Sequence, residues 1–215
     1  MATALVLANG ERPPEALLAR RVAEADLFVC VDGAAAAALL AGLTPDLVVG
    51  DMDSLAPGAR AWLTGSTTEL VELVEQDTTD LEKAFYTLAD RAVSEVLVLG
   101  AGGRRWDHFL VNLMTFARYA DRLVIRAEDE FGTLTMLAPG PVHTLDLQVG
   151  ERFSLLPLPS AAGVATTGMH WTPAPTLAMD GAQGISNVVD AVPVTLRYAA
   201  GSLALYQLSK RPSRA

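Results

Sequence analysis

Residues 27–54 open with Leu27-Phe28-Val29-Cys30-Val31, pass through an alanine-rich stretch over 33–41, and end with Leu47-Val48-Val49-Gly50-Asp51-Met52-Asp53-Ser54. Two short apolar runs separated by a helix-forming segment read as a βαβ unit, the building block of a mostly parallel sheet covered by helices on both faces. The pattern extends in both directions. Apolar runs at 4–8, 70–74, 96–99 and 123–126 read as further strands, and 14–25, 81–93 and 107–119 as further helices. Thr79-x-x-Glu82 has the form of a capping box and is expected to start the helix over 81–93.

Past about residue 127 the texture changes. Short β-like runs at 133–137, 143–149, 152–156, 163–167, 192–198 and 202–208 are separated by glycine and proline, and no helical pattern recurs. Many short strands with such turns predict a small sandwich or barrel. The reading is an α/β N-terminal domain with a mostly parallel sheet over 1–127, followed by an all-β sandwich domain over 128–215. A basic tail over 210–215 is expected to fray.

The whole chain limits the chemistry. Its 215 residues suffice for a real core, and 51% hydrophobic with 19% charged residues is a globular composition. A net charge of −9 with no offsetting basic stripe argues against nucleic acid as a partner. Cys30 is the one cysteine and lies in an apolar run, so no intrachain disulfide or cysteine-based zinc cage is expected. With no basic leader and no apolar run long enough to span a bilayer, the expected location is cytoplasmic and away from membranes.

Carboxylates crowd the ends of the strand candidates. Asp51 and Asp53 follow 47–49; Gln76-Asp77-Thr78-Thr79-Asp80 follows 70–74; Arg105-Trp106-Asp107-His108 follows 96–99 and a glycine-rich turn. Open α/β sheets bind ligands beyond the carboxyl ends of their strands, so these loops are expected to converge on one site. Hard oxygen donors in that number suit magnesium held against phosphates rather than zinc. Asp51 and Asp53, two apart, would project to the same side of an extended segment and repel unless a cation lay between them; the plainer reading is a polar turn. A helix N-terminus at Thr79-Asp80 suits phosphate oxygens, and one of these residues also suits an ordinary cap. Gly100-Ala101-Gly102-Gly103 lets backbone approach a phosphate closely, but no P-loop is present. In the β-rich part, Trp171 either fills a core or stacks on a flat or cationic ligand, and Ser186 and Asn187 are either turn formers or readers of a heterocycle edge.

In order, Asn9-Gly10, Val31-Asp32-Gly33-Ala34, Thr44-Pro45-Asp46, Gly50-Asp51-Met52-Asp53-Ser54, Asp77-Thr78-Thr79-Asp80-Leu81-Glu82-Lys83-Ala84, Gly103-Arg104-Arg105-Trp106-Asp107-His108, Thr167-Gly168-Met169-His170-Trp171 and Ile185-Ser186-Asn187 resemble the thiamine pyrophosphokinase (thiamine diphosphokinase) family. The resemblance implies an α/β catalytic domain binding ATP and Mg²⁺, a β-sandwich helping to bind thiamine, and a homodimer with active sites shared between subunits. It implies pyrophosphoryl transfer from ATP to the hydroxyl of thiamine, giving AMP and thiamine diphosphate. Asp51, Asp53 and Asp80 would hold the metal. Asn9, Asp32, Gln76, Thr79, Arg105 and His108 would line the nucleotide site, with Arg105 and Asp107 also catalytic. Trp171, Ser186 and Asn187 would meet thiamine. Asp80 or Asp107 would accept the hydroxyl proton. Arg104 stands where the family has a second glycine, and Val188 where it often has glutamate. A pyrophosphokinase for another heterocyclic alcohol, such as a hydroxymethylpterin, and a silent nucleotide- or thiamine-binding regulator are the competing readings.

Overall fold

A computed structural model describes residues 2–209; the tail over 210–215, expected to fray, lies outside them. The chain forms two compact units, Met1–Thr115 with Arg122–Asp129, and Phe116–Asp121 with Glu130–Ala215.

The first unit runs β1 (Ala2–Leu7), α1 (Glu15–Glu24), β2 (Leu27–Val31), α2 (Ala34–Leu40), β3 (Leu47–Gly50), α3 (Pro57–Thr64), β4 (Glu69–Glu72), α4 (Asp80–Asp90), β5 (Val93–Leu99), α5 (Trp106–Tyr119, of which the part from Phe116 on belongs to the second unit) and β6 (Val124–Glu128). All its strand pairs are parallel, in the order β6-β5-β1-β2-β3-β4, with Val29 opposite Leu47 and Val49 opposite Val71. Val6, Val29, Cys30, Val48, Val49 and Val98 are fully buried, because central strands of a parallel sheet are covered on both faces. The expected parallel α/β sheet is therefore present. The sequence reading had no element at α3, an eight-residue helix that Pro57 opens at its first turn, where a missing N–H costs nothing.

The second unit holds β7 (Gly132–Leu137), β8 (His143–Leu145), β9 (Arg152–Ala162), β10 (Ala165–Thr167), β11 (Thr176–Ala178), β12 (Gly184–Val188), β13 (Val194–Arg197) and β14 (Ala200–Leu208). β9 pairs antiparallel with β11, β12 and β14, and β14 pairs with β7. A second sheet has the order β10-β13-β8. Phe153 and Leu155 on β9, Leu203 on β14, and Val194 and Leu196 on β13 share one buried cluster, so both sheets turn apolar faces inward. β9 continues well past the expected 152–156, through Pro157 and Pro159. The register shift between Gly201 and Leu203 on β14 faces this stretch, and such irregularities are where sheets tolerate proline. Gly184 to Asn187 belong to β12 rather than to a free turn; the register shift between them, with φ +56° at Ser186, makes the segment a bulge.

Candidate active site

Three carboxylates meet at the carboxyl ends of neighbouring strands. Asp32 follows β2, Asp51 follows β3, and Asp80 begins α4; one oxygen of each lies within 4.8 Å of the others. Gly50 makes this possible, since a Cβ there would come within 2.7 Å of Asp32 Cβ and 3.2 Å of Asp80 Oδ1. Asp32 is 1% exposed and sits at φ +25°, a conformation that side-chain-bearing residues adopt only when their surroundings enforce it. Its Oδ2 accepts from the Ser54 amide at 3.0 Å, while its buried Oδ1 has no partner among the described residues. Burial pushes the Asp32 carboxyl above its ordinary range against the pull of the Ser54 amide, and Asp80 and Asp51 add to the rise. Asp80 is likewise raised by burial, with the Lys83 ammonium opposing. Asp51 is lowered, because the Asp53 amide and the Gln76 carboxamide donate to it at 3.1 Å each.

Asp53 stands apart. Met52 has φ +63°, so the segment is not extended and the premise of the expected same-side projection of Asp51 and Asp53 is not met. Asp53 is exposed, outside the trio, and touches it through its backbone amide rather than its carboxylate. Asp32, read from sequence as a nucleotide residue, takes the third place in the cluster.

The loop between β4 and α4 is organised by a residue that the sequence reading passed over. Glu75 accepts from the amides of Asp77 and Thr78 at 2.9 and 3.0 Å, from the Thr78 hydroxyl, and from Tyr86 Oη at 3.2 Å. These donors, the Thr78 hydroxyl first, hold its carboxyl below the usual range. The loop so shaped delivers Gln76 to Asp51 and ends at Thr79, whose hydroxyl accepts from the Glu82 amide at 3.3 Å. The expected cap is thus formed at Thr79, with α4 starting one residue earlier, at Asp80. The signal for Glu75 was available: an acidic residue three before a threonine in an acceptor-rich loop.

Loops after β1 and β5 lie side by side. The amides of Gly10 and Glu11 donate to the carbonyls of Gly100 and Gly102 at 2.9 and 2.8 Å, and a Cβ on Gly10 would fall 2.2 Å from the Gly100 oxygen. The glycines of 100–103 thus serve a backbone–backbone approach within the protein. Asn9 lies against the start of α2, its Nδ2 2.7 Å from where a Gly33 Cβ would be. Arg105 and Asp107 form an exposed bidentate pair, with Nε to Oδ1 at 3.0 Å. With the His108 amide also donating, the Asp107 carboxyl is held down at about 2. His108 is exposed; Asn112, one turn on, donates to the Ala101 carbonyl at 2.8 Å and ties α5 to the glycine loop. Arg104 has φ +50°, so the substituted glycine position is one whose backbone favours glycine.

In the second unit Trp171 is 55% exposed and fills no core. Asn187 is 3% exposed, and its carboxamide is spent on Trp171: Oδ1 accepts from the Trp171 amide at 3.1 Å, and Nδ2 donates to the Trp171 carbonyl at 2.6 Å. Its Oδ1 also takes the Val188 amide at 2.9 Å. His170 meets the indole edge-on, ring centroids 4.5 Å apart, with its Nδ1 3.0 Å from Asp190. Ser186 is exposed, its amide donating to Ser154 Oγ at 3.0 Å.

Over residues 18–126 the sequence matches the thiamin pyrophosphokinase catalytic domain. The chain belongs to the thiamine pyrophosphokinase family. It is 30% identical over 179 residues to thiamine pyrophosphokinase 1 of Oryza sativa subsp. japonica, a match covering 78% of this chain and 67% of that relative. Measured against the rice relatives, the chain spans between 51% and 67% of their length. Its fold is similar to the crystal structures of the thiamine pyrophosphokinase of Bacillus subtilis (TM-score 0.78, 22% identity, 97% of this chain and 100% of that one) and the thiamin pyrophosphokinase of Geobacillus thermodenitrificans (TM-score 0.78, 24% identity, 97% and 98%). The expected family and fold class are borne out. The matched catalytic region of the thiamine pyrophosphokinases contains Asp32, Asp51, Asp80 and the Arg105–Asp107 pair, and leaves Trp171 and Asn187 outside it. Among the described residues no helix is long and apolar enough to cross a membrane.

Proposed function

We propose that the chain transfers the pyrophosphoryl group of ATP to the primary hydroxyl of thiamine, giving thiamine diphosphate and AMP. The observation that carries this reading is the Asp32–Asp51–Asp80 trio at the strand ends of a thiamine pyrophosphokinase family member. Its donors are all carboxylate oxygens, and the buried Asp32 Oδ1 lacks a partner among the described residues, which fits a hard divalent cation such as Mg²⁺. When bound, Mg²⁺ would neutralise phosphate charge and orient the triphosphate.

The chain's own groups supply the rest. Gln76 and the Asp53 amide hold Asp51 in place and keep it ionised. The N-terminus of α4, capped by Thr79, turns its positive dipole end toward phosphate oxygens. Asn9 and His108 complete the nucleotide side of the proposed site. Arg105 exchanges Asp107 for a phosphate oxygen and stabilises charge on the transferring group. Asp80 and Asp107 are the two carboxylates that suit the hydroxyl proton; before substrate binds, Arg105 holds Asp107 at about 2 and burial raises Asp80. Trp171, displayed by Asn187, stacks on the thiamine rings, with Ser186 beside it. Asn187 acts on substrate through the indole it holds.

The α/β part is assigned the ATP and Mg²⁺ site and the β-rich part the thiamine site. A homodimer in which each site takes its carboxylates from one chain and Trp171 from the other is part of the proposal. So is a cytoplasmic location, supported by a lone cysteine buried in β2 with no disulfide. The deciding experiment is thiamine-dependent AMP formation from ATP and Mg²⁺ in a coupled assay. AMP formation with a pterin alcohol but not thiamine, or none with either, refutes the reading.

A further inference from the structure

Lys83 is 1% exposed, one of the largest side chains buried in the molecule. Its Nζ lies 3.3 Å from Asp80 Oδ1, its one side-chain partner among the described residues. Two costs attach to this placement. An ammonium loses its hydration on burial, and a cation in the first turns of a helix opposes the dipole; Lys83 is the fourth residue of α4. A single, partly exposed aspartate is a thin return for both. What offsets them is the field of three carboxylates, Asp32, Asp51 and Asp80, gathered within 4.8 Å of one another, one of which is its 3.3 Å partner.

We propose that Lys83 is a positioning residue, the resident counter-cation of the Asp32–Asp51–Asp80 trio, holding the carboxylates together without metal and weakening their grip on a divalent ion. The proposal rests on the reading of the trio as a cation site. It differs from a plain structural ion pair in sign: losing a structural pair loosens the site and weakens metal binding, whereas losing a competing internal cation strengthens it.

The test is calorimetric titration of Mn²⁺ into the metal-stripped full chain, with folding followed by circular dichroism. Lys83→Met and Lys83→Gln, the latter keeping a donor toward Asp80, are expected to bind Mn²⁺ about tenfold more tightly than wild type, the scale of a unit charge beside a divalent ion in a partly hydrated site. Lys83→Arg is expected to stay near wild type. Neutral variants that fold only when Mn²⁺ is added also support the proposal, because the ion then takes over the missing charge. Unchanged or weaker binding in folded neutral variants overturns it, as does failure of both to fold even with Mn²⁺. If wild type and Asp51→Asn bind Mn²⁺ equally, or neither binds, the cation-site reading itself has failed, and this inference with it.

Discussion

Asp32→Asn is expected to make the metal-free protein more stable, although it removes a group from the centre of the site. In wild type, Oδ1 is buried without a partner among the described residues, and an unsatisfied buried polar atom costs about 1–3 kcal/mol. The carboxamide keeps an oxygen for the Ser54 amide and puts an N–H₂ donor in place of the second oxygen, in a cluster where one oxygen each of Asp32, Asp51 and Asp80 lie within 4.8 Å of one another. It also takes one negative charge out of the trio. A gain of about 2 kcal/mol at neutral pH follows. The pH dependence has a definite sign. Because burial raises the folded-state pKa of Asp32, wild type is penalised only where that carboxyl is ionised. Its handicap is absent below the unfolded value of 3.8 and grows as pH rises through the raised folded value. The advantage of Asp32→Asn is therefore full at neutral pH and shrinks in mild acid. Urea denaturation with a chelator, at neutral and mildly acidic pH, measures this directly. Adding Mg²⁺ should narrow or reverse the difference, since ligand binding stabilises whichever chain binds it. An Asp32→Asn chain less stable than wild type at neutral pH in chelator would refute the argument that this oxygen is held in place for a cation.

Other outcomes follow from the same geometry. Asp51→Asn and Asp80→Asn are expected to abolish thiamine-dependent AMP formation, a loss of at least ~3 kcal/mol in transition-state stabilisation, comparable to losing a preorganised electrostatic partner; Asp53→Asn, which keeps the amide donated to Asp51, is expected to be milder, and wild-type rates for Asp51→Asn at saturating Mg²⁺ contradict the assignment. Trp171→Ala should raise the thiamine KM more than the ATP KM with little change in melting, because the indole is exposed. Asn187→Ala should do the same and also cost about 2 kcal/mol, since it strips partners from the Trp171 backbone; an unchanged thiamine KM in both variants removes Trp171 from the site. Mixing Asp51→Asn chains with Trp171→Ala chains should recover activity if sites are shared across a two-fold, since both lesions then fall in one of two sites; recovery no greater than in the parent homodimers shows that each chain builds its site alone.

Much of the fold was legible in residue order. Leu27–Val31 and Leu47–Gly50 are strands because nothing polar interrupts them, and a doubly covered parallel sheet asks for nothing else. The Thr79 cap could be read from its glutamate three residues on. α3 was missed because its eight residues open on Pro57 and stop at Gly65, which read as turn signals, and only Leu63 among them is buried. β12 was read as a turn because Gly184 and Ser186 carry turn chemistry, which here makes a bulge inside a pair.

Residue types and their place after each strand were enough to predict a gathering of carboxylates at the strand ends, since period and hydrophobicity are local and strand ends gather by topology. Which carboxylates actually meet was decided in three dimensions. Met52 takes the segment out of the extended form and Asp53 is left exposed, the absence of a Cβ on Gly50 lets Asp32 and Asp80 close over it, and α4 places the Lys83 ammonium against Asp80. Likewise a motif cannot distinguish an asparagine that touches substrate from one whose carboxamide is used up holding Trp171. The physical reason is common to all of them: a side chain's partners depend on backbone dihedrals and on distances between segments remote in sequence, and neither is a property of local composition.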